Sequence, residues 1–403
     1  MLSGFAWAAL ATLISTATAA EITATDLHPA VADVSYAYAL SGHVQAGYVS
    51  IQGSSHAALW AGTADSFVDL NPAGADYSYA RAASGSQQAG YAWIDGEWHA
   101  ALWAGGAGSF VDLQPAGTSD SQVLAMTDNQ QAGMAKTNGV WHAALWAGSA
   151  DSFVDLNPAG ADSSQAYAVA GNRQAGIAIL NGLPHAALWT GSADSFVDLQ
   201  PAGASGSAVT AITASLQAGY AGIGGTQHAA LWSGTAGSFL DLHPTTATDS
   251  AAYAAAGPWQ AGSARLAGVN HAALWSGTAD SFVDLQAALG DAYSSSAAQG
   301  LWTDGTNTFV AGYATTADTG SYHAILWVLT PNAGAVELTV VSGGGAVTVS
   351  WPYPATGFVL ESENQLNPAA WLPATETPTL TNGYWEVTVP ADQPARWFRL
   401  RSP

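Results

Sequence analysis

The stretch His-Ala-Ala-Leu-Trp-Ala-Gly-Thr-Ala-Asp-Ser-Phe-Val-Asp-Leu-Asn-Pro, residues 56–72, decides the fold because close copies of it recur along the chain. Its first five residues return at a constant step of 43 residues, and a variant, His-Ala-Ile-Leu-Trp, follows after a longer step of 52 residues. The histidines of this motif are His56, His99, His142, His185, His228, His271 and His323. A fixed period of this length indicates a repeat fold in which each unit is one supersecondary structure.

Two further motifs keep the same period. Asp-Leu, mostly followed by x-Pro, has its aspartate at Asp26, Asp69, Asp112, Asp155, Asp198, Asp241 and Asp284. The motif Gln-Ala-Gly, or Val-Ala-Gly in the last copy, ends at Gly47, Gly90, Gly133, Gly176, Gly219, Gly262 and Gly312. The three motifs together define seven units.

Each unit predicts four short strands. In the second unit these strands run through Ser78 to Ala83, Gln88 to Ala92, His99 to Trp103 and Ser109 to Leu113. Asp-Gly or Asn-Gly separates the second strand from the third in three of the units, which is the strongest short-range hairpin signal. Both faces of the hairpin formed by the third and fourth strands are largely apolar, so the sheet needs cover on both sides.

The sequence therefore predicts an all-β fold, a seven-bladed β-propeller of 43-residue repeats followed by a small β-sandwich. The alternative is an open β-solenoid. Open arrays need polar caps at their two ends, whereas the first and last units of this chain look like ordinary units. This feature favours a closed ring.

The ends of the repeat region predict how the ring closes. The last unit stops after its third strand, His323 to Trp327, and the segment Glu21 to Leu27 is a fourth strand with no third strand before it. Pairing the two segments removes two exposed sheet edges. We therefore expect the N-terminal strand to complete the last blade; the rival for that position is Val336 to Leu338.

The repeated histidines and aspartates are interpreted as structural residues. Imidazole and carboxylate groups also serve in catalysis and metal binding, but one of each at a fixed place in every unit fits a hydrogen-bonded pair. If Leu59 faces Val68 and Ala58 faces Asp69, then His56 lies diagonal to Asp69. No catalytic, cofactor-binding or metal-binding residue is predicted, and the repeated tryptophans are expected to pack against the next blade.

Composition favours an exported protein. Residues 1–20 predict a secretory signal peptide, because an apolar run precedes small residues that suit cleavage. The net charge of −22, with Lys136 as the single lysine, argues against nucleic acid as a partner. No later segment has the unbroken apolar length of a membrane helix, so no membrane insertion is expected after signal removal. The absence of cysteine excludes thiolate chemistry, and we expect a monomer.

The C-terminal region follows a different pattern. The predicted domains are the propeller at 21–330, a linker at 331–336 and a β-sandwich-like domain at 337–403. Alternating segments at 338–341, 346–351, 357–361, 385–389 and 397–400 predict its strands.

The order and spacing of the repeat motifs resemble the bacterial extracellular repeat family named for its His-Ala-Phe (HAF) motif. The resemblance covers about residues 21–330, although alanines such as Ala58 and Ala101 stand where the family has Phe. It implies export and a repeat β-fold, and it supplies no catalytic residues. The C-terminal region is similar to modules of some bacterial exported proteins that end in a sequence like Phe398-Arg399-Leu400-Arg401.

Function is expected where the units differ. Because strands alternate in direction, the loop between strands two and three and the loop after Asp-Leu-x-Pro should emerge on one rim. The ligand-binding candidates on that rim are Trp98, Trp141, Asp76 and Asp162. These residues predict an exported, non-catalytic module that binds a carbohydrate or a cell-surface protein.

The alternative function is a propeller-type glycan hydrolase or lyase. Such an enzyme would need unique carboxylates or histidines near the ring axis. The histidines outside the repeated motif are His28, His43 and His243, and the first and last of these share one repeat position, which makes catalysis the weaker hypothesis.

Overall fold

Short strands joined by glycine-containing turns fold each repeat into one four-stranded antiparallel sheet. The computed structural model describes residues 21–330, 338–343, 346–352, 359–363, 372–374, 376–381, 384–390 and 397–401. The predicted signal peptide at 1–20 and the predicted linker at 331–336 lie outside these ranges.

The seven sheets are the blades of the predicted propeller. Blade 1 consists of β2 (Val34–Ser41), β3 (Val44–Ile51), β4 (Ser54–Trp60) and β5 (Val68–Asp69). Blades 2 to 4 consist of β6 (Tyr77–Ser84), β7 (Gln87–Ile94), β8 (Glu97–Trp103), β9 (Val111–Asp112), β10 (Ser121–Met126), β11 (Gln131–Thr137), β12 (Val140–Trp146), β13 (Val154–Asp155), β14 (Ser163–Ala170), β15 (Arg173–Leu180), β16 (Leu183–Trp189) and β17 (Val197–Asp198). Blades 5 and 6 consist of β18 (Ser207–Ile212), β19 (Gln217–Ile223), β20 (Thr226–Trp232), β21 (Leu240–Asp241), β22 (Ala247–Ala256), β23 (Trp259–Leu266), β24 (Val269–Trp275) and β25 (Val283–Asp284). Blade 7 consists of β26 (Tyr293–Thr303), β27 (Thr308–Thr316), β28 (Tyr322–Thr330) and β1 (Glu21–Asp26).

The ring is closed. The innermost strand of every blade contacts the innermost strand of the next, and β26 of blade 7 contacts β2 of blade 1. The N-terminal strand β1 completes blade 7 beside β28, and the Leu27 N–H donates to the Ala324 carbonyl at 2.8 Å. The predicted closure by the N-terminal strand is confirmed, since β1 occupies the edge of the sheet that Val336 to Leu338 would have taken.

The fourth strand of each regular blade is shorter than predicted. The expected segment Ser109 to Leu113 contains a two-residue strand, and Ser109 belongs to a one-turn 3₁₀ helix. The turn forms because the Ser109 hydroxyl accepts the Ala104 N–H at 2.7 Å and donates to the Gly106 carbonyl at 2.5 Å. The 3₁₀ helices are Ala64–Ser66, Ala107–Ser109, Ala150–Ser152, Ala193–Ser195, Ala236–Ser238, Ala279–Ser281 and Gln286–Ala292. The predicted register of Ala58 with Asp69 and of Leu59 with Val68 is confirmed.

The Gln-Ala-Gly motif holds the two inner strands of a blade and the turn that follows its third strand. A side-chain carbon on Gly90 would lie 1.9 Å from the Tyr79 carbonyl oxygen, next to a bulge in the inner strand. Only glycine permits this approach. The buried Gln88 accepts the Gly105 N–H at 2.9 Å, which anchors the turn after β8.

The repeated tryptophans fill the spaces between blades. They are 0–1% exposed. Trp60 packs with Ala311, Ala324 and Leu326 of blade 7, so its neighbour is the preceding blade, and the prediction that it packs on the next blade is wrong. Trp60 lies on the face of blade 1 that contacts blade 7, whereas Leu59 and Leu70 lie on the opposite face, which contacts blade 2.

The chain divides into two compact units, one of which is the propeller, Ile22–Asp304 with Thr308–Leu329. The other contains two small sheets, formed by β29 (Thr339–Gly343), β30 (Ala346–Pro352), β31 (Val359–Glu363), β32 (Leu372–Pro373), β33 (Thr379–Thr381), β34 (Tyr384–Pro390) and β35 (Trp397–Arg401). Val349 and Val387 of one sheet share a core with Leu360 of the other, as in a β-sandwich. No helix in the described part of the chain is long and apolar enough to span a bilayer.

Candidate functional site

Each blade brings its repeated histidine and aspartate together. The Nδ1 atom of the histidine lies 2.7–2.8 Å from an aspartate Oδ2 atom in all seven blades. The pairs are His56–Asp69, His99–Asp112, His142–Asp155, His185–Asp198, His228–Asp241, His271–Asp284 and His323–Asp26. The histidine side chains are 16–22% exposed and the aspartates 31–44%. The predicted adjacency is confirmed, although the pairs lie partly in solvent.

The pair belongs to a hydrogen-bond network that links neighbouring blades. The second carboxylate oxygen of Asp69 accepts the Asn71 N–H at 2.8 Å. Ser78 of blade 2 donates to the Asn71 side chain at 2.6 Å and accepts the Ala57 N–H at 2.9 Å. Since Ala57 follows His56 in blade 1, the network joins two blades through side chains of the repeat.

The sequence did not predict that the serine and the amide belong to this network. Their signal was present, because a serine follows each Asp-Leu-x-Pro motif at a nearly constant distance. The serines that accept the backbone N–H of the adjacent blade are Ser35, Ser78, Ser121, Ser164, Ser207, Ser250 and Ser296. This constancy supports a structural role for the repeated polar residues.

His28 and His243 take the place of Asn71 in blades 7 and 5. Their Nδ1 atoms lie 2.9 and 2.8 Å from the hydroxyls of Ser35 and Ser250. The ring of His28 stacks on His323 at 3.8 Å, and the second ring has an equivalent stack at 3.9 Å. Burial, together with the neighbouring histidine, lowers the pKa of both His28 and His243.

The two variable loops meet on one rim, as the strand directions predicted. The Trp98 N–H in the hairpin of blade 2 donates to Asp120 Oδ1 at 3.2 Å in the loop that enters blade 3. Asp162, one of the predicted ligand-binding residues, accepts the Gly182 N–H of its own blade at 3.0 Å, so its carboxylate stabilises a turn. The backbone carbonyl of Asp76 accepts a hydrogen bond from Ser54 at 2.6 Å, and its side chain is exposed.

A group of tyrosines connects blades 7, 1 and 2 on this rim. Tyr36 stacks on Tyr48 with 4.8 Å between ring centroids. Tyr36 also lies 4.7 Å from Tyr313 and 5.1 Å from Tyr322, both in blade 7. Tyr48 reaches Tyr79 of blade 2 at 4.9 Å. The rings therefore form one continuous surface across two blade junctions.

Trp98 extends this surface over blade 2. Its ring lies 5.1 Å from Tyr91, 5.0 Å from Trp93 and 5.8 Å from Tyr79. Tyr77, paired with Trp93 across the strands, is 41% exposed. We call this surface the tyrosine rim, and its residues are Tyr36, Tyr38, Tyr48, Tyr77, Tyr79, Tyr91, Trp93, Trp98, Tyr313 and Tyr322.

The residues of the tyrosine rim are themselves uncharged, and Arg81 and Asp76 lie beside them. Burial raises the pKa of Tyr38, and it raises the pKa of Tyr91 to about 12, so both phenols are neutral near pH 7. The Arg81 guanidinium lies 3.8 Å from the centroid of Tyr38, a cation–π contact.

The other predicted tryptophan, Trp141, lies in blade 3 with a partner of its own. The Lys136 ammonium is 5.8 Å from its ring centroid and 3.7 Å from Asp120. Among the residues that the structure describes, no group of three or more histidine, aspartate or glutamate side chains is arranged to hold a metal ion. The candidate site is therefore the tyrosine rim, of which the sequence predicted one member, Trp98, and the adjacent Asp76.

Comparison with known proteins yields only fold similarity. No family model and no curated protein sequence matches the chain. TolB from Acinetobacter baumannii is 13% identical with a TM-score of 0.41, over 63% of this chain and 64% of TolB. The β-propeller domain of the trilobed protease from Pyrococcus furiosus is 8% identical with a TM-score of 0.37, over 63% of this chain and 96% of that domain. An acylaminoacyl peptidase from Pyrococcus horikoshii is 8% identical with a TM-score of 0.44, over 79% of this chain and 57% of the peptidase.

Proposed function

We propose that this chain is an exported, non-catalytic binding module whose tyrosine rim binds a neutral carbohydrate. One observation carries the proposal: tyrosine and tryptophan are denser on the rim of blades 7, 1 and 2 than on blades 3 to 6, where the equivalent positions hold Trp141, Tyr167, Tyr220 and Tyr253. The repeated residues account for the scaffold, since they bond or pack one blade to the next. Residues that depart from the repeat are not required for that role in the other blades, and they are available for a ligand.

The chemistry of the tyrosine rim suits a sugar. Tyrosine and tryptophan offer flat apolar faces against which the C–H face of a pyranose ring can pack, and phenol hydroxyls can donate to and accept from sugar hydroxyls. Tyr77 and Tyr322 are 41% and 38% exposed, so their rings are accessible at the two ends of the rim. The neighbouring Asp76 adds a carboxylate that can accept hydrogen bonds from sugar hydroxyls.

The charge of the protein restricts the carbohydrate class. With a net charge of −22, the chain repels sulfated or uronic-acid polymers at long range. Arg81, the arginine among the aromatic residues, is already placed over Tyr38. A neutral glycan is not repelled by the acidic protein and needs no free arginine, and we therefore favour it over an anionic glycan.

Export is part of the proposal. It rests on the predicted signal peptide at 1–20 and on the resemblance to HAF repeats, both of which point to a place outside the cytoplasm. A protein that works there meets cell-wall and environmental glycans. Mass spectrometry of the N-terminus of secreted material would test this part, and we expect the mature chain to begin near Glu21.

Binding can be tested with residues 21–403 on an array of neutral and anionic oligosaccharides. We expect retention of neutral glycans, and at least a tenfold loss of affinity in the double variant Tyr77→Ala/Tyr322→Ala. The matched control is Leu183→Ala, an exposed apolar residue on the same rim of blade 4. Equal affinity of the double variant and the control, or capture of a surface protein without any glycan, would disprove the proposal. Shortened oligosaccharides after incubation would contradict its non-catalytic part.

A further inference from the structure

Blade 7 departs from the regular repeat at the rim. The serine that accepts the Ala57 N–H follows Ala57 by 21 residues in the sequence. The equivalent serine of blade 7, Ser296, follows Ala272 by 24 residues. The extra residues belong to the 3₁₀ helix Gln286–Ala292. The hairpin between β27 and β28 is also longer, because six residues, 316–321, lie between the paired Thr315 and Tyr322. In blade 1 the equivalent pair, Ser50 and Ser55, encloses four residues, 51–54, and Ile51 still pairs with Ser54.

These two departures form the walls of one pocket. It is an open pocket with a volume of about 530 Å³. The lining residues are Asp291, Ala292, Tyr293, Thr316, Ala317, Asp318, Thr319 and His323. Seven of these come from the enlarged loops and their ends, so the regular blades cannot build the same pocket.

The closing strand positions two of the lining side chains. The Tyr293 hydroxyl donates to Asp26 Oδ2 at 2.8 Å, and the same oxygen lies 2.8 Å from His323 Nδ1. His28 stacks on the ring of His323 at 3.8 Å. The aromatic wall is therefore held in a fixed orientation before a ligand arrives, which reduces the entropy that binding must overcome.

The lining chemistry matches a hydroxyl-rich neutral ligand. Asp291 and Asp318 are exposed carboxylates that can accept hydrogen bonds from neighbouring sugar hydroxyls. Thr316 and Thr319, whose hydroxyls lie 2.6 Å apart, can donate or accept. The lining contains no lysine or arginine, and a phosphate or carboxylate ligand would meet only like charge from the two aspartates.

We infer that this pocket binds one sugar unit, the terminal residue of the glycan held by the tyrosine rim. The inference rests on the proposed function. The hairpin of blade 7 supports it, because residues 316–319 line the pocket and Tyr322 at the end of that hairpin belongs to the tyrosine rim, on the face of β28 opposite to His323. The rim would hold the body of the glycan, and the pocket would select its end.

The test uses ligand-observed NMR with the methyl glycosides of glucose, galactose, mannose and N-acetylglucosamine. We expect at least one to bind, and at least a tenfold loss of its affinity in Asp291→Asn/Asp318→Asn. The control Asp151→Asn makes the same kind of charge change in a 3₁₀ turn of blade 3, at the other end of the strands. Absence of binding by all four glycosides, or stronger binding of glucosamine, a cation, would overturn the neutral-sugar assignment.

A second variant removes the pocket without removing a blade. Residues 316–321 are replaced by the four residues of the blade 4 hairpin, Leu180 to Leu183, and the control places the same four residues at 137–140 in blade 3. We expect the blade 7 variant alone to lose the glycoside while it still binds longer glycans through the tyrosine rim. If the glycoside stays bound, the pocket assignment fails and the proposed function stands; if longer glycans bind neither the parent nor the variant, the proposed function fails as well.

Discussion

Blades 3 to 6 and the arc formed by blades 7, 1 and 2 share one backbone plan but differ in the residues on the rim. At the position of Tyr36 and Tyr79 on the inner strand, blades 3 and 4 have Gln122 and Gln165. At the position of Tyr48 on the second strand, blades 3, 4 and 6 have Met134, Ile177 and Ser263, whereas blade 5 keeps a tyrosine, Tyr220. The His–Asp pair, in contrast, is present in all seven blades.

This difference shows which residues carry the fold and which are available for function. The period of 43 residues is kept where each blade bonds to and packs on the next, through residues such as Trp60 and Ser78. At the tyrosine rim, the residue types at equivalent positions differ between blades. At the blade 7 pocket, the loops are longer than in the other blades. The same substitution should therefore have different effects on stability and binding in blades 3 to 6 and in the arc of blades 7, 1 and 2.

The largest effect is expected from removal of the closing strand. Deletion of residues 21–26 takes away the edge strand of blade 7, the Asp26 carboxylate that holds His323 and Tyr293, and the packing of Ile22 and Ala24. We expect the free energy of unfolding in urea to fall by at least about 3 kcal/mol, since an edge strand, the Asp26 hydrogen bonds and partly buried apolar contacts are lost together.

A peptide of residues 21–26 added in trans provides the control for this deletion. It should restore part of the lost stability in a concentration-dependent way, because it binds only the folded ring. An unchanged urea midpoint after the deletion would mean that blade 7 is stable with three strands and that closure by β1 contributes little.

The sequence predicted the scaffold better than the site, for a physical reason. Blades, hairpin register and ring closure follow from local patterns that repeat, such as the motif at His56. The tyrosine rim depends on contacts between distant residues: Tyr36 and Tyr313 touch only because the ring closes. The role of Gly90 and the pocket of blade 7 depend on a bulge and on loop conformations that the motif spacing does not reveal.

An intermediate loss of stability is expected when a single motif histidine is replaced. His142→Ala should lower the free energy of unfolding by about 1–2 kcal/mol, because the charge-assisted hydrogen bond to Asp155 is lost at a partly exposed site. Glycan and glycoside binding should not change. His323→Ala should cost a similar amount of stability and should also weaken glycoside binding, since His323 lines the pocket.

Urea denaturation and glycoside titration of the same two variants separate these outcomes. Equal loss of binding in both would show that the histidines act on the ring as a whole. Loss of binding in His142→Ala with an unchanged melting temperature would contradict the structural interpretation of the repeated pairs.

The smallest effect concerns pH and the two stacked histidines. His28 faces His323, Asp26 and Asp33, while His243 faces His228, Asp241 and Asp249, and burial is the largest cause of the lowered pKa in both. A lowered pKa means that the unfolded chain binds the proton more readily. Each histidine therefore leaves stability unaffected well above pH 6.5 and reduces it as the pH falls below that value.

His28→Asn and His243→Asn test this point with the residue that blade 1 carries at the same position, Asn71. Each variant should flatten the decline in stability between about pH 6.5 and 5, by no more than about 1.4 kcal/mol per pH unit for one proton. The two variants should behave alike in slope, since both histidines stack on a motif histidine. If only His28→Asn changes the slope, the effect belongs to the closing blade and not to the stack, and a steeper decline in either variant would contradict the direction derived from burial.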